Sequence, residues 1–266
     1  MCGRFSLTAT PEELRMLFAY GDRPNFPPRY NIAPTQPIAI VRLEQGERRF
    51  ALVRWGLVPG WVKDPSQFSL LINARAETAA EKPAFRTSMR HARCLIPASG
   101  FYEWRKMGDG PKQPYWIAPK DGGVVAFAGL WSDWSGTDGS QVDTAAILTT
   151  NANATLAPIH NRMPVVIAPE DFERWLDIAH TEPRHVKDLL VPPPDDLFHA
   201  VPVSTRVNAV ANDDADLHRP VDEPALSSRG ARPAGETARP KPKRAPGGSR
   251  SSGGKAGDND DQFDLF

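Results

Sequence analysis

Residues 37–55 read PIAIVRLEQGERRFALVRW. Two apolar runs rich in β-branched residues, 38–43 and 50–55, flank the pair Gln45-Gly46. A glycine-containing turn between two such runs is a hairpin signal, so residues 47–53 are expected to return antiparallel to 38–43. Working outward, residues 114–117, 124–130, 144–150 and 164–167 are further apolar runs of strand length. Helix signals are fewer. Thr10-Pro11-Glu12-Glu13 sets an N-cap residue, a first-turn proline and two acids ahead of Leu14, Leu17 and Phe18. Pro169-Glu170-Asp171 opens a second segment through Trp175 and Leu176, and Thr181-Glu182-Pro183 a third short one. No strand–helix–strand rhythm is present, so the expected class is α+β with a mainly antiparallel sheet.

The chain has 266 residues and a formal net charge of +0. The charge is unevenly spread. Residues 227–257 carry eight Lys or Arg (Arg229, Arg232, Arg239, Lys241, Lys243, Arg244, Arg250, Lys255) against the single acid Glu236. The last nine residues hold Asp258, Asp260, Asp261 and Asp264 and no base. From about Asp222, apolar residues give way to Pro, Gly, Ser, Arg and Lys, a composition that cannot offset the entropy of ordering. Residues 1–221 are therefore expected to form the globular domain and 222–266 a disordered basic tail. MCGRFSLTAT has no apolar signal-peptide core, and no run approaches a membrane span. Two cysteines, Cys2 and Cys94, make no disulfide framework. A reduced, cytoplasmic setting is expected.

Cys2 stands behind the initiator methionine. Removal of Met1 would leave a free α-amine and a thiol on adjacent carbons. An α-amine titrates near pH 8, so part of it is a nucleophile at neutral pH. It can attack an aldehyde to give a Schiff base, and the thiol can close on the imine carbon to a thiazolidine ring. The second step is intramolecular and favoured by proximity. Taken alone, Cys2 is equally readable as an ordinary second residue. Cys94, within RCLIP, reads as a small buried hydrophobe. The cysteines and six histidines show no paired metal-ligand spacing, so neither a metal site nor another cofactor is expected.

The neighbourhood decides between those readings. The chain carries CGRF at 2–5, PRYNIAPTQ at 28–36, WGLVPGW at 55–61, NARAET at 73–78 and RCLIPASGFYEW at 93–104. It continues with AGLW at 128–131, TTNAN at 149–153, IHNRMPVVI at 159–167 and VSTRVN at 203–208. This ordered set resembles the SOS-response-associated peptidase (SRAP) family, which crosslinks covalently to abasic sites. The resemblance covers essentially all of residues 2 to about 220. It implies a barrel-like β-sheet with a few flanking helices and a positively charged groove for single-stranded DNA. It also implies a thiazolidine between Cys2 and the ring-opened abasic sugar, protecting the site during replication and the SOS response.

Asn73, Glu103 and His160 match the family's site, and each type suits the chemistry. A carboxylate at Glu103 can take and return protons during imine formation. An imidazole at His160 can deliver a proton to the sugar ring oxygen and expose the aldehyde. Asn73 can orient the cysteine backbone or the sugar without titrating. For single-stranded DNA, Arg4, Arg75, Arg86 and Arg162 are candidate phosphate contacts, Trp61 a base-stacking face and Thr149 a phosphate hydrogen-bond donor. Trp55, Trp104, Trp131 and Trp175, in apolar runs, are expected in the core. Up to Leu226 the chain has 24 basic and 27 acidic side chains, so DNA binding must depend on local placement of arginines.

Gln262, Leu265 and Phe266, in the terminal QFDLF, resemble the short peptide by which bacterial proteins dock on the replication sliding clamp. The basic stretch before it would tether the domain at the fork, over the nucleoid. The expected assembly state is a monomer. Two other activities fit the same chain: a cysteine peptidase with Cys2 as N-terminal nucleophile, and a non-catalytic single-strand-binding adaptor.

Overall fold

The computed structural model describes residues 2–108 and 110–222. The tail beyond, including Gln262, Leu265 and Phe266, lies outside the described residues. In chain order the strands are β1 (Phe5–Leu7), β2 (Arg29–Ile32), β3 (Pro37–Glu44), β4 (Glu47–Trp55), β5 (Asn73–Arg75), β6 (Arg93–Ala98) and β7 (Gly100–Arg105). They continue with β8 (Gln113–Pro119), β9 (Val125–Ser135), β10 (Gln141–Asn151), β11 (Arg162–Pro164), β12 (Val166–Ile167) and β13 (Phe198–Pro202). The α-helices are α1 (Pro11–Phe18), α2 (Arg86–His91) and α3 (Phe172–Leu176).

The hairpin read from residues 37–55 is the start of a barrel. β3 and β4 pair from Pro37↔Arg54 to Glu44↔Glu47. Gln45 and Gly46 turn the chain at φ 51° and 82°, the left-handed values that a two-residue hairpin turn requires. From β3 the ladder passes to β6, β9 and β10, each antiparallel to the last. The ring closes where β10 runs parallel to β4 at Thr144↔Arg54 and Ala145↔Trp55. Five strands thus form a closed barrel, which leaves no edge among them. β5 continues the β4 edge of β10, and β11 the β9 edge.

A second, antiparallel sheet runs β13-β8-β7-β1-β2. The chain moves from barrel to second sheet at Ser99, between β6 and β7, where the Ser99 N–H donates to Ser6 O (2.8 Å). Aromatic edges join the two sheets. Phe5 meets Trp55 at 5.1 Å, and Phe101 meets Phe127 at 5.8 Å. Trp55 and Trp175 are fully buried as expected, whereas Trp104 and Trp131 are half-buried. Trp104 bonds Asn208 through Nε1, and Trp131 lies under the Arg42 guanidinium. Cys94 is buried in the core.

All three sequence-read helices form. α1 starts on a capping box in which Thr10 and Glu13 satisfy each other's backbone N–H. The segment from Pro169 begins as a 3-10 turn and becomes α3, and the third is the 3-10 helix Pro183–Leu189. The run 164–167 is split, because Val165 donates to Leu148 O between β11 and β12. No helix of the described residues is long and apolar enough to cross a membrane.

Candidate active site

The N-terminal residues are set by the second sheet. β1 pairs with β7 at Phe5↔Phe101 and Ser6↔Gly100, and Tyr102 N–H donates to Arg4 O (2.9 Å). Continuing that register carries Cys2 and Gly3 alongside Glu103 and Trp104. Cys2 is fully buried there. Asn73, the first residue of β5, donates from Nδ2 to Cys2 O (2.8 Å). Its Oδ1 is buried with no hydrogen-bond partner among the described residues. Asn73 and Arg75 share one face of β5, while Ala74 between them points into the core.

Glu103 is 2% exposed. Burial raises its pKa to about 7, against the opposing pull of nearby positive charge that includes Lys112. The carboxyl is therefore poised to give or take a proton near neutrality. Burial also raises the Cys2 thiol pKa, and the Glu103 charge adds to the effect. The thiol stays protonated at neutral pH, and its Sγ contacts Arg4 O at 3.7 Å.

His160 ends the loop between β10 and β11 and is half-buried. Burial lowers its pKa to about 4, with neighbouring positive charges, Lys112 and Arg162 among them, acting the same way. The ring is neutral at pH 7. The Arg162 N–H donates to Nδ1 at 2.9 Å, which assigns the ring proton to Nε2. Nδ1 also lies 3.2 Å from Arg162 O. The N–H contact is the shorter and its donor is fixed, so it governs the tautomer. Lys112 bears electrostatically on both Glu103 and His160. Sequence reasoning gave Lys112 no role; it sits in no motif, and only the fold of β7 against β8 brings it there.

The six expected DNA contacts divide. Arg75 and Arg86 are exposed and form no ion pair among the described residues. Trp61 is 60% exposed, edge-on to Phe68 at 5.7 Å. Arg86 lines a groove with Glu77, Arg90 and Lys187. The other three are turned inward. Arg4 Nη1 donates to Asn31 Oδ1 (2.7 Å) and Val207 O (2.8 Å). Arg162 forms a bidentate pair with Glu77, Nη1–Oε1 2.6 Å and Nη2–Oε2 2.9 Å. Thr149 is fully buried, with its hydroxyl 3.5 Å from Ala74 O. In this arrangement Thr149 is not available to a phosphate, since no part of it reaches solvent. Glu77, unassigned in the sequence reading, lies inside the NARAET segment at 73–78, which was the signal that could have found it.

Residues 1–210 match the model of the SOS response associated peptidase (SRAP) family. The chain belongs to the SRAP family. A relative from Bacillus subtilis, the abasic site processing protein YoaM, is 39% identical over 220 residues, covering 82% of this chain and 97% of the relative. The Escherichia coli abasic site processing protein YedK is 33% identical, covering 83% and 100%. The Gallus gallus abasic site processing protein HMCES is 31% identical, covering 84% and 78%. Among solved structures, a Bacteroides thetaiotaomicron protein superposes with a TM-score of 0.74 at 24% identity, covering 83% of this chain and 100% of its own. A phage-related protein of Bordetella bronchiseptica gives a TM-score of 0.61 at 32% identity, covering 76% and 94%. The α+β SRAP architecture with its barrel is thus shared.

Proposed function

We propose that this chain processes abasic sites in single-stranded DNA by forming a thiazolidine crosslink through Cys2 once Met1 has been removed. The observation that carries the reading is the hydrogen bond from Asn73 Nδ2 to Cys2 O (2.8 Å) beside the buried Glu103 carboxyl, whose charge bears on the Cys2 thiol. The His160 Nε2–H hydrogen-bonds the sugar ring oxygen, which takes up the proton that the anomeric hydroxyl loses through solvent, so the ring opens to the aldehyde with no net proton gained or lost. The Cys2 amine attacks the aldehyde carbon, and Glu103 accepts the amine proton. Glu103 passes that proton to the former aldehyde oxygen, giving the carbinolamine, and then carries the second nitrogen proton to the same oxygen, which leaves as water and gives the imine. The neutral thiol adds across the imine, its proton passing to nitrogen through Glu103. The net change is loss of one water and formation of one C–N and one C–S bond. The imine stage also opens routes to strand nicking and to reversal.

Arg75 and Arg86 supply phosphate contacts and Trp61 a stacking face. A peptidase role for Cys2 is the poorer fit, because a thiol attacking an amide needs its thiolate form, and burial and Glu103 disfavour that form. The tail, through Gln262, Leu265 and Phe266, would hold the domain at the sliding clamp; equal clamp retention of the native and Leu265→Ala/Phe266→Ala proteins would end that part.

The test uses protein whose intact mass shows Met1 gone, incubated with an oligonucleotide bearing one abasic site. A heat-stable shifted band is expected on a denaturing gel. Cys2→Ala should lose that band but regain it with borohydride, because the amine alone still forms a reducible imine. Absence of any band with processed wild type refutes the proposal.

A further inference from the structure

We infer that Glu77 is a positioning residue for His160, acting through Arg162; this rests on the proposed crosslinking reading. The connection is a chain of direct contacts. Both Glu77 oxygens hold the Arg162 guanidinium, at 2.6 and 2.9 Å. The same guanidinium donates to Asn151 Oδ1 (3.0 Å) and Thr149 O (2.5 Å). Arg162 is therefore clamped across the end of β10, with its side chain only 10% exposed. Its backbone N–H is the group that donates to His160 Nδ1. Whatever fixes Arg162 thus fixes both the direction and the tautomer of the imidazole. The Arg162 bond lowers the Glu77 pKa, so the carboxylate stays charged across the working range. Glu77 is itself anchored, because the adjoining Ala76 N–H donates to Thr149 O (2.9 Å).

The ladder between Asn151 and Arg162 also holds this backbone. Glu77 matters beyond the ladder because β11 is three residues long and is followed at once by a break at Val165. Without the carboxylate, the buried guanidinium must seek another anion or water, and the turn at residues 160–162 moves with it. Nδ1 then loses its fixed donor, and the preference for the proton on Nε2 weakens.

The experiment compares full-length wild type, Glu77→Ala and Glu77→Asp, each lacking Met1. Nitrogen-15 spectra of the histidine rings, with His160 assigned by its loss in His160→Gln, read the tautomer directly. Wild type should show His160 with the proton on Nε2 only, and Glu77→Ala a mixture. At saturating abasic oligonucleotide, Glu77→Ala should crosslink on the order of tenfold to a hundredfold more slowly, the scale of a misplaced reacting group. Affinity for an unreactive strand should hold or rise, since an acid has been removed from the groove. Glu77→Asp keeps the charge and should restore the single tautomer and part of the rate; it also serves if Glu77→Ala fails to fold. A single tautomer together with a wild-type saturating rate in Glu77→Ala overturns the inference. If wild type makes no adduct, the crosslinking reading fails instead, and the tautomer spectra still decide what Glu77 holds.

Discussion

Glu103 carries a conflict between stability and chemistry that can be measured. Burial pushes its carboxyl up to about 7 in the folded chain, from an ordinary value of 4.5. The folded state therefore binds this proton more tightly than the unfolded state between those limits. Stability falls as pH rises through that window, and the full cost of the buried charge, about 3 kcal/mol, is present above pH 7. Glu103→Gln removes the charge and keeps the shape. Its melting temperature should exceed wild type at pH 8 and converge with it near pH 4.5. Crosslinking should slow by about a hundredfold, the lower range of general acid–base catalysis. An equal stability gain at both pH values would show that the carboxyl is not buried as a charge. His160 has the opposite sign: burial holds its folded pKa at about 4, below the ordinary 6.5, so it costs stability only as pH falls through that interval. At this scale the sequence was informative about identity but not environment. Cys2, Asn73, Glu103 and His160 are visible as residues in matching segments. Their burial, and the neutral thiol and imidazole that follow, come from the register of β1 on β7 and from the loop before β11.

Among elements, legibility followed length and local signals. β3 and β4 are long, rich in apolar residues and share a strong turn, and they were readable. β1, β5 and β11 have three residues each, too few for any period to show. RCLIPASGFYEW was readable as a segment but not as two strands in different sheets, since Pro97 and Gly100 on either side of Ser99 lie within the strands themselves. α2 was invisible because RTSMRH has no cap hydrogen bond and little apolar pattern. Arg93 explains its stability. That side chain is 1% exposed and gives Nε to Trp175 O (2.6 Å) and Nη1 to Met89 O (3.1 Å). Its Nη2 serves Asp177 O and Thr181 O, both at 2.9 Å. One guanidinium thus collects carbonyls from α2, from the end of α3 and from the turn beyond it. Arg93→Met strands those carbonyls and should cost about 3 kcal/mol, read as a lower urea midpoint at unchanged slope. A loss below about 1 kcal/mol, the scale of one ordinary hydrogen bond, would mean that water replaces the guanidinium.

For the whole molecule, acids outnumber bases within the domain, so its hold on DNA cannot come from net charge. It must come from cations that the fold leaves in solvent without an anion. Composition cannot sort arginines in this way, because the sorting depends on which carboxylates and carbonyls the barrel brings beside each one. Arg4 is occupied by Asn31 and Val207, and Arg162 by Glu77. Arg75 and Arg86 remain in solvent. Each phosphate contact on a single strand contributes about 0.7 to the slope of log affinity against log salt. Arg75→Ala and Arg86→Ala should therefore each weaken binding and flatten that slope by about 0.7. Arg4→Ala and Arg162→Ala should leave the slope at its wild-type value and lower the melting temperature instead, because each strands a buried acceptor. Fluorescence anisotropy of an unreactive single strand across a salt series separates the two classes. A flattened slope in Arg4→Ala or Arg162→Ala would mean that DNA draws these side chains out of their internal partnerships, and the resting ion pair with Glu77 would then be a contact that the strand itself breaks on binding.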